Sequence, residues 1–167
     1  NCAGLTDVKI GNTVTSIGKE AFYMCSGLIN LEINNNATSI GRSAFEYCTG
    51  LTNLVINVAT IGEYAFNKCS NLVSLEIGDS VTTLENYAFF ECKNLTTVVI
   101  GHNVKKIGFM AFGYKDENLT SVTFNDTSTW YHTKNSSYIN GTEMDVSNPS
   151  QNAIYLTDTY DHYWYKL

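Results

Sequence analysis

The dipeptide Ala-Phe recurs down this chain at nearly constant intervals, and no other feature restricts the possible folds as much. Its phenylalanines are Phe22, Phe45, Phe66, Phe89 and Phe112, spaced by 23, 21, 23 and 23 residues. Around each pair the sequence reads Ile-Gly-x-x-Ala-Phe-x-x-Cys-x-x-Leu-x-x-Leu-x-Ile. One copy runs Ile17, Gly18, Ala21, Phe22, Cys25, Leu28, Leu31, Ile33, and the next runs Ile40, Gly41, Ala44, Phe45, Cys48, Leu51, Leu54, Ile56. The third keeps the pattern from Ile61 to Ile77. The fourth puts Leu84-Glu85 in place of Ile-Gly, and the fifth carries Lys115 in the cysteine place with one extra residue. A half unit at the start supplies Cys2, Leu5, Val8 and Ile10. A fixed period of this length means stacked copies of one small unit.

The pattern has a direct physical reading. Leu-x-Ile alternates apolar and polar residues, the period of a strand with one buried face. Leu31 and Ile33 are expected inside, with Asn30 and Glu32 outside. Stacking then sets these strands side by side and parallel, about 4.8 Å apart. Ala-Phe-x-x-Cys places apolar residues three and four apart, which predicts a short helical turn on the opposite wall. The glycine after Ile predicts a tight bend. A single unit cannot bury its own apolar face, so stability must come from stacking on neighbours.

These motifs resemble the BspA-like subclass of leucine-rich repeats, found on surface proteins of gut and oral bacteria and of some protozoan parasites. The resemblance covers residues 2 to about 124. It implies a leucine-rich-repeat right-handed solenoid, α/β but mostly β. A parallel strand sheet would form one face, short helical turns the other wall, and an α+β segment a C-terminal cap. Residues 1–124 would hold a partial first unit and five units of about 23 residues, and 125–167 would pack as a cap on the last repeat. Ordinary leucine-rich repeats place Asn or Cys three residues after the last strand Leu. Here Thr13, Asn36, Ala59, Ser80 and Asn103 stand near that place, an incomplete ladder. The resemblance further implies a secreted or cell-surface location, adhesion or binding of a host or cell-surface protein, and no catalytic residues or cofactor.

The natural docking surface of such a solenoid is its concave strand face. The outward residues there are Asp7, Lys9, Asn30, Glu32, Asn53, Val55, Ser74, Glu76, Thr97, Val99, Ser121 and Thr123. The row is small, polar and weakly acidic, without the aromatic or arginine anchors of tight interfaces. A second ridge carries Tyr23, Tyr47, Tyr64, Tyr87 and Tyr114 at unequal offsets, which suits partly buried wall residues.

From Asn125 the repeat stops. Trp130-Tyr131 and Tyr163-Trp164-Tyr165 read as aromatic strands. Ser150 to Tyr160 reads as a helix with Asn148 as N-cap and Pro149 at its first position. Asn135 to Gly141 reads as a loop. Solenoids require such caps. The alternative use of this segment is a sugar-binding platform, because exposed Trp and Tyr offer flat amphipathic surface. That alternative requires Trp130 and Trp164 to be exposed. A passive structural spacer is a further reading.

Cys2, Cys25, Cys48, Cys69 and Cys92 share one repeat position and should form an internal column of free thiols. Parallel neighbours pointing the same way do not suit disulfide geometry, and no zinc-type Cys/His spacing exists. Unpaired thiols are unusual in a secreted protein, and an anaerobic source would reconcile the two. His102, His132 and His162 sit in unlike contexts and form no metal motif. Asp158 and Asp161 could meet a cation but lack the calcium-loop pattern. Asn-x-Ser/Thr triplets at Asn36, Asn94, Asn118, Asn125, Asn135 and Asn140 are too frequent in so Asn/Thr-rich a chain to mean anything.

A net charge of −6, with 10 basic residues scattered, disfavours nucleic acid as a partner. No apolar run reaches the roughly 20 residues of a membrane-spanning helix. No signal peptide shows at the N-terminus, but Asn1 falls mid-unit, so the expectation is a fragment of a longer protein.

Overall fold

The computed structural model describes residues 1–34, 36–113, 118–134, 136–137, 140–158 and 162–167. Tyr114, Lys115, Asn135, Tyr160 and Asp161 lie outside them, as does the side chain of Asp158.

Each Leu-x-Ile segment is a short strand on one long face. These strands are β1 (Asp7–Lys9), β3 (Asn30–Glu32), β5 (Asn53–Ile56), β7 (Ser74–Ile77), β9 (Thr97–Ile100) and β11 (Ser121–Phe124). Alternation sets their burial: in β5, Leu54 and Ile56 are buried while Asn53 and Val55 are exposed. Pairing is parallel and in register, so Leu54, Leu75, Val98 and Val122 form one inward column.

A second row of two-residue strands occupies another face, where the sequence suggested only a bend. It comprises β2 (Ser16–Ile17), β4 (Ser39–Ile40), β6 (Thr60–Ile61), β8 (Thr83–Leu84) and β10 (Lys106–Ile107). Their parallel ladder aligns Ile17, Ile40, Ile61, Leu84 and Ile107. Gly41, Gly62 and Gly108, which adjoin these strands, serve close approach rather than a left-handed bend. A Cβ on Gly62 would lie 2.6 Å from the Ile40 carbonyl oxygen of the preceding coil.

The third wall departs from the helical turn that the Ala-Phe-x-x-Cys spacing predicts. It is a chain of single turns in which the residue before Ala and the second residue after Phe are left-handed: Ser43 (φ 53°) and Tyr47 (φ 63°) in one coil, Tyr64 (φ 57°) and Lys68 (φ 60°) in the next. This conformation aims alternate N–H groups at the neighbouring coil. The amides of Ser43, Phe45 and Tyr47 donate to the carbonyls of Glu63, Ala65 and Asn67. A helix would spend those donors within its own turn, and the coils would lose their third ladder. Along this wall Phe22, Phe45, Phe66, Phe89 and Phe112 stack nearly parallel, with centroids 5.0, 5.1, 5.3 and 5.7 Å apart.

The strand face is not continuous. Its sheet is divided into β1–β3 and β5–β7–β9–β11, with no ladder between β3 and β5 among the described residues. Most Cα pairs between those two strands lie beyond 8 Å, whereas β1 and β3 lie mostly within it. The other two walls stay closed at the same level, through Ile40↔Ile61 and the Phe45–Phe66 stack. The split adjoins the one short unit. Ile56 and Ile61 are five positions apart, where Ile33 and Ile40, or Ile77 and Leu84, are seven apart. A coil with a shorter perimeter cannot overlay both neighbours all the way round, and the misfit is taken up against β3.

Beyond Phe124 the second sheet continues with reversed direction. Strand β14 (Tyr163–Lys166) pairs antiparallel with β10, followed by β12 (Trp130–Thr133) and β13 (Thr142–Met144). Helix α1 (Pro149–Asp158) packs on β11. Its start follows the expected chemistry, with the Asn148 side-chain oxygen accepting from the amides of Ser150 (3.1 Å) and Gln151 (3.2 Å). Asn152, wholly buried, donates to the carbonyls of Val122 and Val146, each at 2.9 Å. It thereby satisfies a backbone acceptor of the last strand on the long face.

Candidate functional site

All twelve outward residues predicted from strand alternation stand exposed or half-buried on the long face. Seven of them, Glu32, Asn53, Val55, Ser74, Glu76, Thr97 and Val99, line one depression of about 630 Å³. Asp7, Lys9, Asn30, Ser121 and Thr123 lie outside it. Three pairwise contacts order the row. Asn30 donates to Asp7 at 2.6 Å, and Lys9 pairs with Glu32 at 2.7 Å. Hydrogen bonds from Thr6 and Asn30 hold the Asp7 carboxyl below the usual range, while Glu32 holds the Lys9 ammonium above its own. Further along, Ser74 donates to Asn53 at 2.6 Å.

The depression includes residues that alternation alone would hide. Leu31, Ile33, Leu54, Leu75 and Asn57 also line it. Leu31 and Ile33 belong to the inward columns yet remain half-buried, whereas Leu54 and Ile56 are closed. They are uncovered because β5 does not pack beside β3. Val55, at the lip, is 62% exposed. The signal for this opening was present as the 21-residue spacing, but spacing alone does not say which wall takes up the misfit.

The main chain at the split also lacks partners. In a strand, successive residues point their N–H and C=O groups to opposite edges. The observed bonds Ile10 N to Glu32 O and Gly78 N to Ile56 O fix the parity of the whole face. By that parity, the backbone groups of Leu31 and Ile33 face the split from one side and those of Asn53 and Val55 from the other. No backbone bond joins these groups among the described residues.

The remaining sequence candidates fall elsewhere. Cys25, Cys48, Cys69 and Cys92 are buried free thiols, and Cys2 is an exposed one. The thiols of Cys48, Cys69 and Cys92 donate to the carbonyls of Phe22, Phe45 and Phe66, at 3.2, 3.3 and 3.3 Å. Burial pushes Cys48 up to about 12 and raises Cys69 well above the ordinary thiol value. The tyrosine ridge breaks into two groups, Tyr23 against Tyr47 edge-on at 5.9 Å and Tyr64 stacked on Tyr87 at 4.8 Å. His102 meets Asp79 at 3.1 Å on an exposed loop, and the rings of His132 and His162 lie 4.8 Å apart beside the C-terminal strands. Among the described residues no three His, Cys, Asp or Glu side chains gather as a metal-binding group.

The sugar-binding platform is overturned. Trp130 and Trp164 are 0% and 1% exposed. Both rings pack on Phe124, with centroids at 4.9 and 6.4 Å, so their apolar faces close the core and are not presented to solvent.

The sequence matches the BspA type leucine rich repeat region in six copies, over residues 1–120 and 51–145. The chain belongs to this family. Among solved structures, a leucine rich cell surface protein from Faecalibacterium prausnitzii A2-165 is similar to this BspA-type chain, with 28% identity and a TM-score of 0.66. That match covers 89% of this chain and 41% of the Faecalibacterium protein. The leucine rich repeat protein of T. pallidum shares the fold at 22% identity and a TM-score of 0.57, covering 65% of this chain and 62% of its own. The chain therefore spans less than two thirds of either protein. No curated protein matches significantly. Leucine-rich repeats of this kind are generally binding modules. No described helix is long and apolar enough to cross a membrane.

Proposed function

We infer that this chain is a protein-binding module of a cell-surface or secreted protein, and that it binds through the long strand face. The carrying observation is the depression on that face. There Glu32, Asn53, Ser74 and Glu76, with Val55 among them, ring half-buried Leu31 and Ile33, so a mostly polar rim surrounds an apolar floor. Such a floor within a polar rim is the anatomy of a binding patch. The closed ladders on the other two walls hold it in place, which lowers the entropic cost of docking. Residues 125–167 serve as a cap: α1 covers β11, and β14 covers the edge of β10. The similar Faecalibacterium chain, itself a cell surface protein, supports the location.

An array of extracellular and host-matrix proteins, probed with this chain, tests the reading. Binding should survive Lys19→Glu with Lys93→Glu, which lie off the strand face, and be lost on Glu76→Arg with Val99→Glu. Equal loss from both pairs would move the site elsewhere. Silence across protein and glycan arrays would favour a passive spacer.

A further inference from the structure

The split between β3 and β5 leaves two facing strand edges unpaired, the chemistry of a vacant strand position. Paired strands stand about 4.8 Å apart, so a strand inserted between two others needs about 9.6 Å between them. Here most Cα pairs across the split exceed 8 Å, while the coils stay closed on their other two walls. Leu31 and Ile33 on one side, and Asn53 and Val55 on the other, turn unpaired N–H and C=O groups into the opening. Unpaired strand edges recruit extended peptides, because main-chain hydrogen bonds supply affinity while alternate side chains supply specificity.

We propose that the split binds an extended segment of a partner protein as an added strand, with small apolar residues inward and basic residues outward. This rests on the strand face being the binding surface. Inward side chains of the guest meet Leu31, Ile33 and Leu54, an aliphatic lining that suits Val or Ile. Outward side chains emerge beside Glu32, which a guest cation would share with Lys9, and, one strand further, Glu76, on a chain of net charge −6. Lysine or arginine fits there and a carboxylate does not. Val55 covers the stem of an outward lysine, since such side chains lay their methylenes on apolar surface.

The test uses the intact chain and a fluorescein-labelled peptide of sequence Thr-Val-Lys-Val-Lys-Val-Thr, followed by anisotropy. Saturable binding is expected. It should weaken about tenfold or more when alternate amides are N-methylated, the cost of losing about one net hydrogen bond. Replacing both lysines by glutamate, or introducing Val55→Lys on the exposed lip, should weaken it similarly. Lengthening the Asn57–Ala59 loop by two residues, which restores the regular period, should close the split and abolish binding. Equal affinity for the N-methylated peptide, or no binding by any peptide, overturns the proposal. If protein-array binding persists in that case and is still lost on Glu76→Arg with Val99→Glu, the strand-face reading stands without the vacant strand position. A change of the chain's own oligomeric state on adding peptide would mean that the split is filled by a second copy, and would also overturn it.

Discussion

Phe66 lies face to face between Phe45 and Phe89, wholly buried, and bears the stacking of three coils at once. Truncation to alanine removes both stacks and leaves a cavity, and Phe66→Ala should cost about 3–5 kcal/mol. Val55→Ala, on the open lip, should stay within about 0.5 kcal/mol. Urea denaturation of the two variants checks the contrast, and a similar cost for both would mean that the ladder is not the source of stability. Thiol chemistry supplies a second check at this scale. The intact protein should expose Cys2 alone to a thiol reagent, and all five cysteines should react once it is denatured. Four protected thiols follow from burial and from the raised values of Cys48 and Cys69, and two disulfides in the intact chain would refute the column. The phenylalanine and cysteine columns were legible in the sequence because period fixes position on a coil. The left-handed φ of Ser43, Tyr47, Tyr64 and Lys68 was not, because these residues have a Cβ and carry no glycine signal. The gain there is the ladder between coils, which spacing does not encode.

Among the elements, α1 and β14 carry the most specific polar contacts. Asn152→Ala would leave the carbonyls of Val122 and Val146 buried without their donor, at about 1–3 kcal/mol for each group. Loss of α1 signal before the repeats unfold would locate the damage at the chain end, and an unchanged melting temperature would deny it. The same end should be acid-sensitive. Burial first, and then His162, lower the His132 value below the ordinary 6.5. Its unfolded form therefore binds a proton more readily, so the contribution is whole above about pH 6.5 and falls as pH drops through that value. Asp126 works at lower pH. Its bond from Lys166 depresses its carboxyl to about 2, so that contribution is whole above the ordinary 3.8 and is lost on approaching 2. Tryptophan fluorescence should show the upper step, since His132 lies 6.2 Å from Trp164, and His132→Phe should remove it. Helix α1 and strand β14 could be read in advance from Asn148-Pro149 and the aromatic run. The second row of strands could not, because two residues are too few to show alternation.

At the scale of the whole molecule, the stacked coils account for stability and the one irregular coil for the opening. Six repeat copies would give a seamless strand face if all had equal length. The residues Ile56 and Ile61, two positions closer than their counterparts, break that uniformity. Function on this account comes from a local departure from a regular scaffold. The outward row was readable from alternation, but its deepest part, around Leu31 and Ile33, depended on how neighbouring coils of unequal perimeter settle against each other. Residue-resolved amide hydrogen exchange on the free chain tests this most directly. Within β5, the amides of Asn53 and Val55 should exchange fast while those of Leu54 and Ile56, bonded to β7, stay protected. Leu31 and Ile33 should be as fast as Val55, and Glu76 slow. Uniform protection of β3 and β5, with Val55 as slow as Glu76, would mean that the strand face is continuous and the opening does not exist.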